Sequence, residues 1–431
     1  MKAHLLPRLF AAFALLVPFS SAFGWGEPHL AITKAALEVL PPWQQNLLGE
    51  EAAKLAGDYC LIPDHVFTDT GNAKFAMMED KPRERYLLIL HLPSSQQLEN
   101  LETLRYFMGK AVEALQAGHT GDAARYMGTI CHQLEDYGSP AHTVPGDNMF
   151  TLLQQFLPPT EPMKDQLLHS PIENGDLHVD IKGYQPKLLG TTVGEASWRL
   201  LHRVHEGILN ARSTTIPIIQ ALYAGDQEGV TTHQMKAATF DAKVVADAFY
   251  TILYLGAQKF DDTEQDPLRQ VGIGAFVPLE AVNLYYPQTQ FFSSPNWGYP
   301  HTGVVLAEGK KAVPITLRVE EKLGVVEKEF ANGISVGMGR SLTYLLPKGV
   351  YAHFTVLAGL HPQLGADGHV KFVISGDGLP LASAIMTGAE PAHHLVCDIS
   401  HISVLQLTVT SAGPNPKSNY AIWANPALAK P

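Results

Sequence analysis

The hydrophobic pattern of this chain changes near residues 262 to 275. Before that point apolar residues recur at helical spacing, as in residues 30 to 40. After it, β-branched residues alternate with polar ones between Gly and Pro turns, as in residues 370 to 378 and 404 to 413. Because single cores stop growing at roughly 250 to 300 residues, we expect two domains, a mainly α-helical one followed by an all-β sandwich.

The domain limits follow from this change of pattern. An apolar stripe from Leu98 to Leu115 predicts one helix, and a second begins at a predicted N-cap, Asp122, and is broken by Gly138. Further helices are predicted at 192–211, 215–224 and 233–260. The expected division is a helical domain over 25–265, a linker over 266–274 and a β-sandwich over 275–428.

The N-terminus carries a targeting pattern. Two basic residues precede the apolar run Leu9–Pro18, and small residues then suit cleavage after Gly24. This predicts a signal peptide over residues 1–24 and a periplasmic or extracellular protein that begins at Trp25. A retained membrane anchor is the weaker alternative, because the run is short for a bilayer span. The rest of the sequence predicts no transmembrane segment.

Composition excludes some classes of function. The formal net charge is −11, with 46% hydrophobic and 17% charged residues, which argues against a disordered chain and against a basic nucleic-acid-binding surface. Any phosphate chemistry therefore needs a local site. Three cysteines, Cys60, Cys131 and Cys397, are too few for a disulfide scaffold. A bond between Cys60 and Cys131 and buried free thiols both remain open.

Residues 132 to 142 read H-Q-L-E-D-Y-G-S-P-A-H. His132 and Asp136 are four residues apart, so on a helix they project from one face, where imidazole and carboxylate can reach one divalent ion. Gly138 turns the chain, which allows His142 to approach from another side. The alternative is a surface His/Asp pair and an unrelated loop histidine.

A second pair, His169 and Glu173, repeats the four-residue spacing. Ser170 and the following proline also suit a capping box, in which Glu173 would only cap a helix. His178 competes with His169 but lacks a carboxylate at the right spacing. Upstream, His91 and Asp64 would each be structural if taken alone.

Together these residues resemble the zinc-dependent phospholipase C family, whose fold is shared with single-strand-specific fungal nucleases. The resemblance rests on W-G at Trp25 followed by His29, an Asp, a His before a long helix, then H-x-x-x-D-x-x-x-P-x-H and H-x-x-x-E. It implies three zinc ions, held in turn by Asp64, His91, His132 and Asp136; by His142, His169 and Glu173; and by the amino and carbonyl groups of Trp25 with His29 and a bridging Asp136. Asp58 is an alternative to Asp64.

The resemblance implies hydrolysis of phosphodiesters. Three dications would lower the pKa of water and neutralise phosphoryl oxygens, and Asp64 would orient or deprotonate the water. Glu173 favours a phospholipase over a nuclease, where Asp is usual, whereas the long spacing from His142 to His169 departs from the phospholipases. A phospholipid is the first expected substrate, and single-stranded nucleic acid or another phosphoester is the alternative. A non-catalytic exported glycan-binding protein is the rival from another class.

Two further expectations concern aromatic residues and the C-terminal half. Tyr59, Phe67 and Phe75 are candidates for a cation–π headgroup pocket, with core packing as the alternative. Residues 275 to 428 resemble the NPCBM carbohydrate-binding modules, through segments such as F-A-N-G-I-S-V-G and the final N-Y-A-I-W. That resemblance implies a galactose-binding-like β-sandwich and glycan binding, or else a brace for the helical domain. Trp423 is a candidate sugar platform or a core residue.

Overall fold

The structure is a computed structural model that describes residues 27–79, 97–143, 168–259, 262–284, 300–307, 311–337 and 339–431. The predicted signal peptide, Trp25 and His91 lie outside these residues. Of His169, the backbone is described but the side chain is not. Within the described part, the helices come first and the strands follow from residue 270. The predicted fold class, a mainly helical part followed by a β-sandwich, is confirmed.

The helical half packs around two long neighbouring helices. Its helices are α1 Pro28–Glu38, α2 Pro42–Leu48, α3 Glu51–Leu55, α4 Gln97–Gln116, α5 Thr120–Gly138, α6 His169–Glu173, α7 Val193–Ala224, α8 Gln227–Ala257 and α9 Asp262–Arg269, with 3-10 turns at Tyr59–Leu61 and Ala73–Ala76. The connection from α7 to α8 is two residues long. Gly225 takes a left-handed φ of 68° that ends α7, and the Asp226 side chain accepts a hydrogen bond from the Gly229 amide to start α8.

Most predicted helices are observed. The helix predicted over 233–260 begins earlier and spans Gln227–Ala257, and two further differences are seen. The predicted break near residues 212 to 214 does not occur, and α7 is continuous. Ser213 and Thr214 donate their hydroxyls to carbonyls one turn back, at Asn210 and Ala211, so their polar groups are satisfied inside the helix. The other difference lies at α5, which begins at Thr120 and leaves Asp122 in its first turn rather than at the N-cap.

The β half is built from antiparallel sheets. Its strands are β1 Gln270–Gly272, β2 Glu280–Asn283, β3 His301–Thr302, β4 Val304–Leu306, β5 Ala312–Glu321, β6 Gly324–Phe330, β7 Gly333–Val336, β8 Arg340–Leu345, β9 His353–Leu360, β10 His369–Gly376, β11 Leu379–Thr387, β12 His393–Asp398, β13 Val404–Ser411 and β14 Ala421–Ala429. One sheet has the order β12-β9-β14-β7-β3, with β1 also on β14; a second has the order β11-β10-β13-β8-β2; a third is β4-β5-β6.

The two larger sheets share an apolar core. Burial alternates along β10 and β13, as expected for strands with one inward face. Trp423 on β14 is fully buried and meets Phe372 on β10 edge to face, with ring centroids 4.9 Å apart. Trp423 is therefore a core residue and offers no exposed ring to a sugar.

The helical half and the sandwich meet through buried contacts. The predicted linker 266–274 contains the end of α9 and all of β1, whose Gln270 pairs with Ala429 of β14. Trp198 on α7 donates its indole N–H to the Leu345 carbonyl at 2.7 Å. The sheet therefore begins inside the segment that local sequence marks as a connection, and the position of the domain boundary stays a prediction.

Candidate metal centre

One face of α5 carries the centre of the site. His132, Glu135 and Asp136 follow the spacing i, i+3, i+4, which places them side by side on a helix, and all three side chains are fully buried. They face His29 on α1. The turn after the 3-10 helix Tyr59–Leu61 brings Asp64 to the same place.

The donor atoms lie at the spacing of metal ligands. His132 Nε2 is 3.4 Å from Asp64 Oδ1 and 3.5 Å from Asp136 Oδ2, and His29 Nε2 is 3.7 Å from Asp136 Oδ1. These distances exceed ordinary hydrogen bonds, yet two ligands of one tetrahedral zinc with bonds of about 2.0–2.1 Å are themselves about 3.4 Å apart. One ligand atom from each of His29, His132 and Asp136 lies within 4.8 Å of the others.

The Nδ1 atoms of His132 and His29, which face away from the donor cluster, each contact a protein oxygen. His132 Nδ1 lies 2.8 Å from the Cys60 carbonyl oxygen, and because a carbonyl only accepts, Nδ1 carries the proton. His29 Nδ1 is 2.6 Å from Glu135 Oε2. Each ring thus turns its Nε2 inward, and these two buried atoms make no hydrogen bond to the described residues. This arrangement fits a metal, because ligating imidazoles usually bond a carbonyl or carboxylate through the other nitrogen.

The rings also stack on each other, with centroids 4.3 Å apart and an interplanar angle of 18°. Burial, and then the nearby charge of His132, lower the pKa of His29 to about 3. Burial also acts to lower the pKa of His132, but the carboxylates of Asp64 and Asp136 outweigh it and raise that pKa to about 10. Only one ring of the stacked pair therefore carries a positive charge at neutral pH.

Carboxyl groups outnumber cations in this region. Burial raises the pKa of Glu135 well above its usual value. Burial, and then the charges of Glu135 and Asp136, also raise the pKa of Asp241 on α8 well above its usual value. Burial acts to raise the pKa of Asp64, but the His132 charge outweighs it and the pKa is lowered. Because a buried carboxyl group keeps its proton unless a cation compensates its charge, such a site suits a divalent cation.

A second pair lies close by. His142 Nε2 is 3.4 Å from Glu173 Oε2, and each side chain is 4% exposed. The Glu173 charge acts to raise the pKa of His29, but the larger effect of burial outweighs it. The residue before α6, Leu168, makes no side-chain cap, and Ser170 lies in the first turn of α6 rather than at its N-cap. His169 is the first residue of α6.

The remaining candidates are placed as follows. Asp58 is exposed, whereas Asp64 lies beside His132. The alternative histidine His178 is also exposed. Tyr59 and Phe75 are buried in the core and Phe67 is 63% exposed, so the three rings do not share one wall of a headgroup pocket. All three cysteines are free and buried.

Sequence reasoning missed two residues of this site. Glu135 accepts a hydrogen bond from the Thr33 hydroxyl at 2.6 Å as well as contacting His29. Both signals were present in the sequence: Glu135 is three residues after His132, and Thr33 is four residues after His29, so each lies on the same helical face as a candidate ligand.

Comparisons with known proteins match either the C-terminal half or nearly the whole chain. The NPCBM/NEW2 domain family matches residues 288–429, which confirms the resemblance predicted for the C-terminal half. No curated protein matches the sequence. Among the described residues, no helix is both long and apolar enough to cross a membrane.

Solved structures resemble each part of the chain at low identity. A CBM51 module from Clostridium perfringens GH95 in complex with methyl-galactose is 18% identical, with a TM-score of 0.31, and covers 37% of this chain and 99% of its own. The α-toxin of an avian strain of Clostridium perfringens is 11% identical, with a TM-score of 0.31, and covers 95% of this chain and 98% of its own. The α-toxin of Clostridium absonum is 12% identical, with a TM-score of 0.34, and covers 95% and 92%.

Proposed function

We propose that the helical half is an exported zinc-dependent phosphodiester hydrolase of the phospholipase C type. The observation that carries the proposal is the convergence of His29, His132 and Asp136 in one buried site at ligand spacing, with Asp64 beside them. These residues come from three separate segments. The alternative, a surface His/Asp pair, does not explain why donor atoms from three segments meet in one buried place.

The donor set favours zinc over calcium or magnesium, because imidazole nitrogens are good ligands for zinc whereas the other two ions prefer oxygen alone. Bound zinc would polarise a phosphoryl oxygen and lower the pKa of water. Asp64 is the least buried of the acidic residues at the centre, and His132 keeps its pKa low. It therefore stays ionised near neutral pH and is the proposed group that orients the attacking water and takes its proton.

The remaining ligands are proposed from the resemblance. His91 would complete the first position, His169 would join His142 and Glu173 at the second, and the amino and carbonyl groups of Trp25 would complete the third with His29. The α-amino group is a competent ligand because its pKa is only about 7.7 to 8.0, and removal of the signal peptide would be needed to create it. Three zinc ions per chain are then expected.

The test combines metal content with hydrolysis. Secreted protein with Trp25 as its confirmed N-terminus should hold about three zinc ions by elemental mass spectrometry, and should hydrolyse phosphatidylcholine faster than single-stranded DNA. His132→Ala and Asp136→Ala should lose zinc and hydrolysis together. Retention of full activity in either variant would contradict the proposal, and faster cleavage of DNA would identify the nuclease alternative.

Asp64 has a matched control in the same segment. Asp64→Asn should reduce hydrolysis by at least 100-fold, in the range expected for a positioned general base, whereas Asp58→Asn should leave hydrolysis unchanged because Asp58 is exposed. The reverse result would assign the role to Asp58.

A second function, glycan binding, is proposed for the C-terminal half because residues 288–429 match the NPCBM/NEW2 family. The whole chain should then bind on a glycan array, and binding should persist in His132→Ala. If the chain binds glycans but neither holds zinc nor hydrolyses phosphodiesters, the non-catalytic alternative is correct. If no glycan binds, the sandwich serves as a brace for the helical half.

A further inference from the structure

Glu135 is a buried carboxylate whose two oxygens are both committed within the site. Its Oε2 lies 2.6 Å from Nδ1 of His29, and its Oε1 accepts the Thr33 hydroxyl at 2.6 Å. All three side chains are fully buried. A buried carboxyl group is costly unless its oxygens are hydrogen-bonded, and His29 and Thr33 supply one partner for each oxygen.

The contact with His29 differs from the one that holds His132. The neutral Cys60 carbonyl fixes His132, whereas a carboxylate fixes His29. A carboxylate on Nδ1 sets the tautomer and the rotation of the ring, and it also increases the electron density at the opposite nitrogen. That nitrogen, Nε2, is buried and lies on the side of Asp136.

Thr33 determines where Glu135 can lie. Thr33 and His29 are one turn apart on α1, so the hydroxyl and the imidazole approach the same carboxylate from one helix face. A glutamate side chain has three rotatable bonds, and two short hydrogen bonds from one helix leave it a single position. Because the His29 ring stacks on the His132 ring, fixing the first ring also restricts the position of the second.

We infer that Glu135 is a positioning residue for His29 as a metal ligand, and that Thr33 holds Glu135 in place for this role. The inference rests on the proposed metal centre and extends it by naming the residues behind the ligand. It also accounts for a carboxylate that the motif H-x-x-x-D does not use.

The decisive measurement is the zinc affinity of the whole chain with Trp25 at its N-terminus, by competition with a chromophoric chelator. Glu135→Gln keeps the shape but leaves one acceptor oxygen for the two donors His29 and Thr33, so affinity should fall about 10- to 100-fold. Glu195→Gln is the matched control, because Glu195 is equally buried but lies at the junction with the sandwich. Zinc affinity of the control should equal that of the wild type.

A second pair of variants keeps the test informative if Glu135→Gln does not fold. Thr33→Val removes the hydroxyl and should weaken zinc binding a few-fold, as expected for one lost hydrogen bond. Thr33→Ser restores the hydroxyl and should restore affinity. Cobalt substitution gives a further readout, since an altered His29 should shift the visible absorption of bound Co²⁺ in Glu135→Gln and leave it unchanged in Glu195→Gln.

The outcomes separate the two proposals. A wild-type chain that binds zinc, with equal affinity in Glu135→Gln and Thr33→Val, overturns the positioning role and leaves the metal centre intact. A wild-type chain that binds no zinc overturns both. Loss of affinity in Thr33→Val that Thr33→Ser does not recover would assign the effect to packing and would also overturn the inference.

Discussion

Gly128 provides the most direct test of how packing on α5 shapes the site. This glycine lies one turn before His132, and the backbone of Tyr59 packs directly on it. A Cβ added at Gly128 would lie 2.6 Å from the Tyr59 carbonyl carbon and closer still to its oxygen. These are backbone atoms of the 3-10 helix Tyr59–Leu61, so they cannot rotate away as the end of a side chain can.

The cost of Gly128→Ala follows from this geometry. The 3-10 helix must retreat by about 1 Å to reach ordinary contact, and overpacking of this kind costs about 1–3 kcal/mol. The same movement carries away the Cys60 carbonyl that holds His132 at 2.8 Å, and an unsatisfied buried donor costs about 1–3 kcal/mol more. Alanine regains about 0.5–1 kcal/mol as a better helix former than glycine. The net expectation is a loss of about 3 kcal/mol.

Thermal unfolding of the metal-free chain measures this loss. For a unit of 150–250 residues, about 3 kcal/mol corresponds to a fall in Tm of roughly 6–12 °C. Gly109→Ala is the control, because Gly109 is also inside a helix but its added Cβ would meet only Val193 Cγ1 at 3.9 Å. That variant should be as stable as the wild type or slightly more stable. Zinc affinity should fall in Gly128→Ala and remain in Gly109→Ala.

A Tm for Gly128→Ala within 2 °C of the Gly109→Ala value would refute the reasoning, where about 2 °C is the smallest shift that 1 kcal/mol produces. It would mean that the backbone around Tyr59 moves away from the added methyl group without lowering the free energy of unfolding. Normal stability combined with reduced zinc affinity would instead show that the Cys60 carbonyl moves away from His132 while the packing of the core is not destabilised.

Two further predictions concern the rest of the helical half. Burial, and then the Arg212 charge, lower the pKa of His205 to about 4, so the unfolded chain takes up the proton first as pH falls below about 6.5. Stability should therefore drop by about 1.5 kcal/mol between pH 6.5 and 5 on account of this residue, and His205→Gln should show a flatter profile of Tm against pH than the wild type. At the junction, Glu195 accepts hydrogen bonds from Tyr351 at 3.0 Å and Lys430 at 2.8 Å, so Glu195→Ala should cost about 2–4 kcal/mol in denaturant unfolding. Glu228→Ala, at an exposed position in the first turn of α8, should cost less than about 1 kcal/mol.

Local sequence was sufficient for the helices and for part of the site. The four-residue spacing of His132 and Asp136 depends only on helix geometry, so the sequence alone places the two side chains on one face. The approach of His29 could not be derived in this way, because about 100 residues separate it from α5 and helix packing alone brings them together. There the family resemblance supplied what local spacing could not.

Glu135 shows why the supporting residues were harder to predict. Acidic residues are common on exposed helix faces, and only burial distinguishes Glu135 from such a residue. The strand Gln270–Gly272 was missed for a similar reason. Its partner is β14, at the far end of the chain, and a three-residue segment has no alternation of its own that would predict a strand.

Helix α5 has glycine at two positions where another segment packs directly against it, near the candidate ligands. At Gly128 it admits the backbone of Tyr59, which lets the next carbonyl reach His132. At Gly138 an added Cβ would lie 2.6 Å from Oδ1 of Asp241, so this second glycine admits a buried acid of α8. The two close approaches flank His132 and Asp136 along the helix. Two glycines that are not ligands therefore allow the close packing around His132 and Asp136, and a larger residue at either position would displace a neighbour of the site.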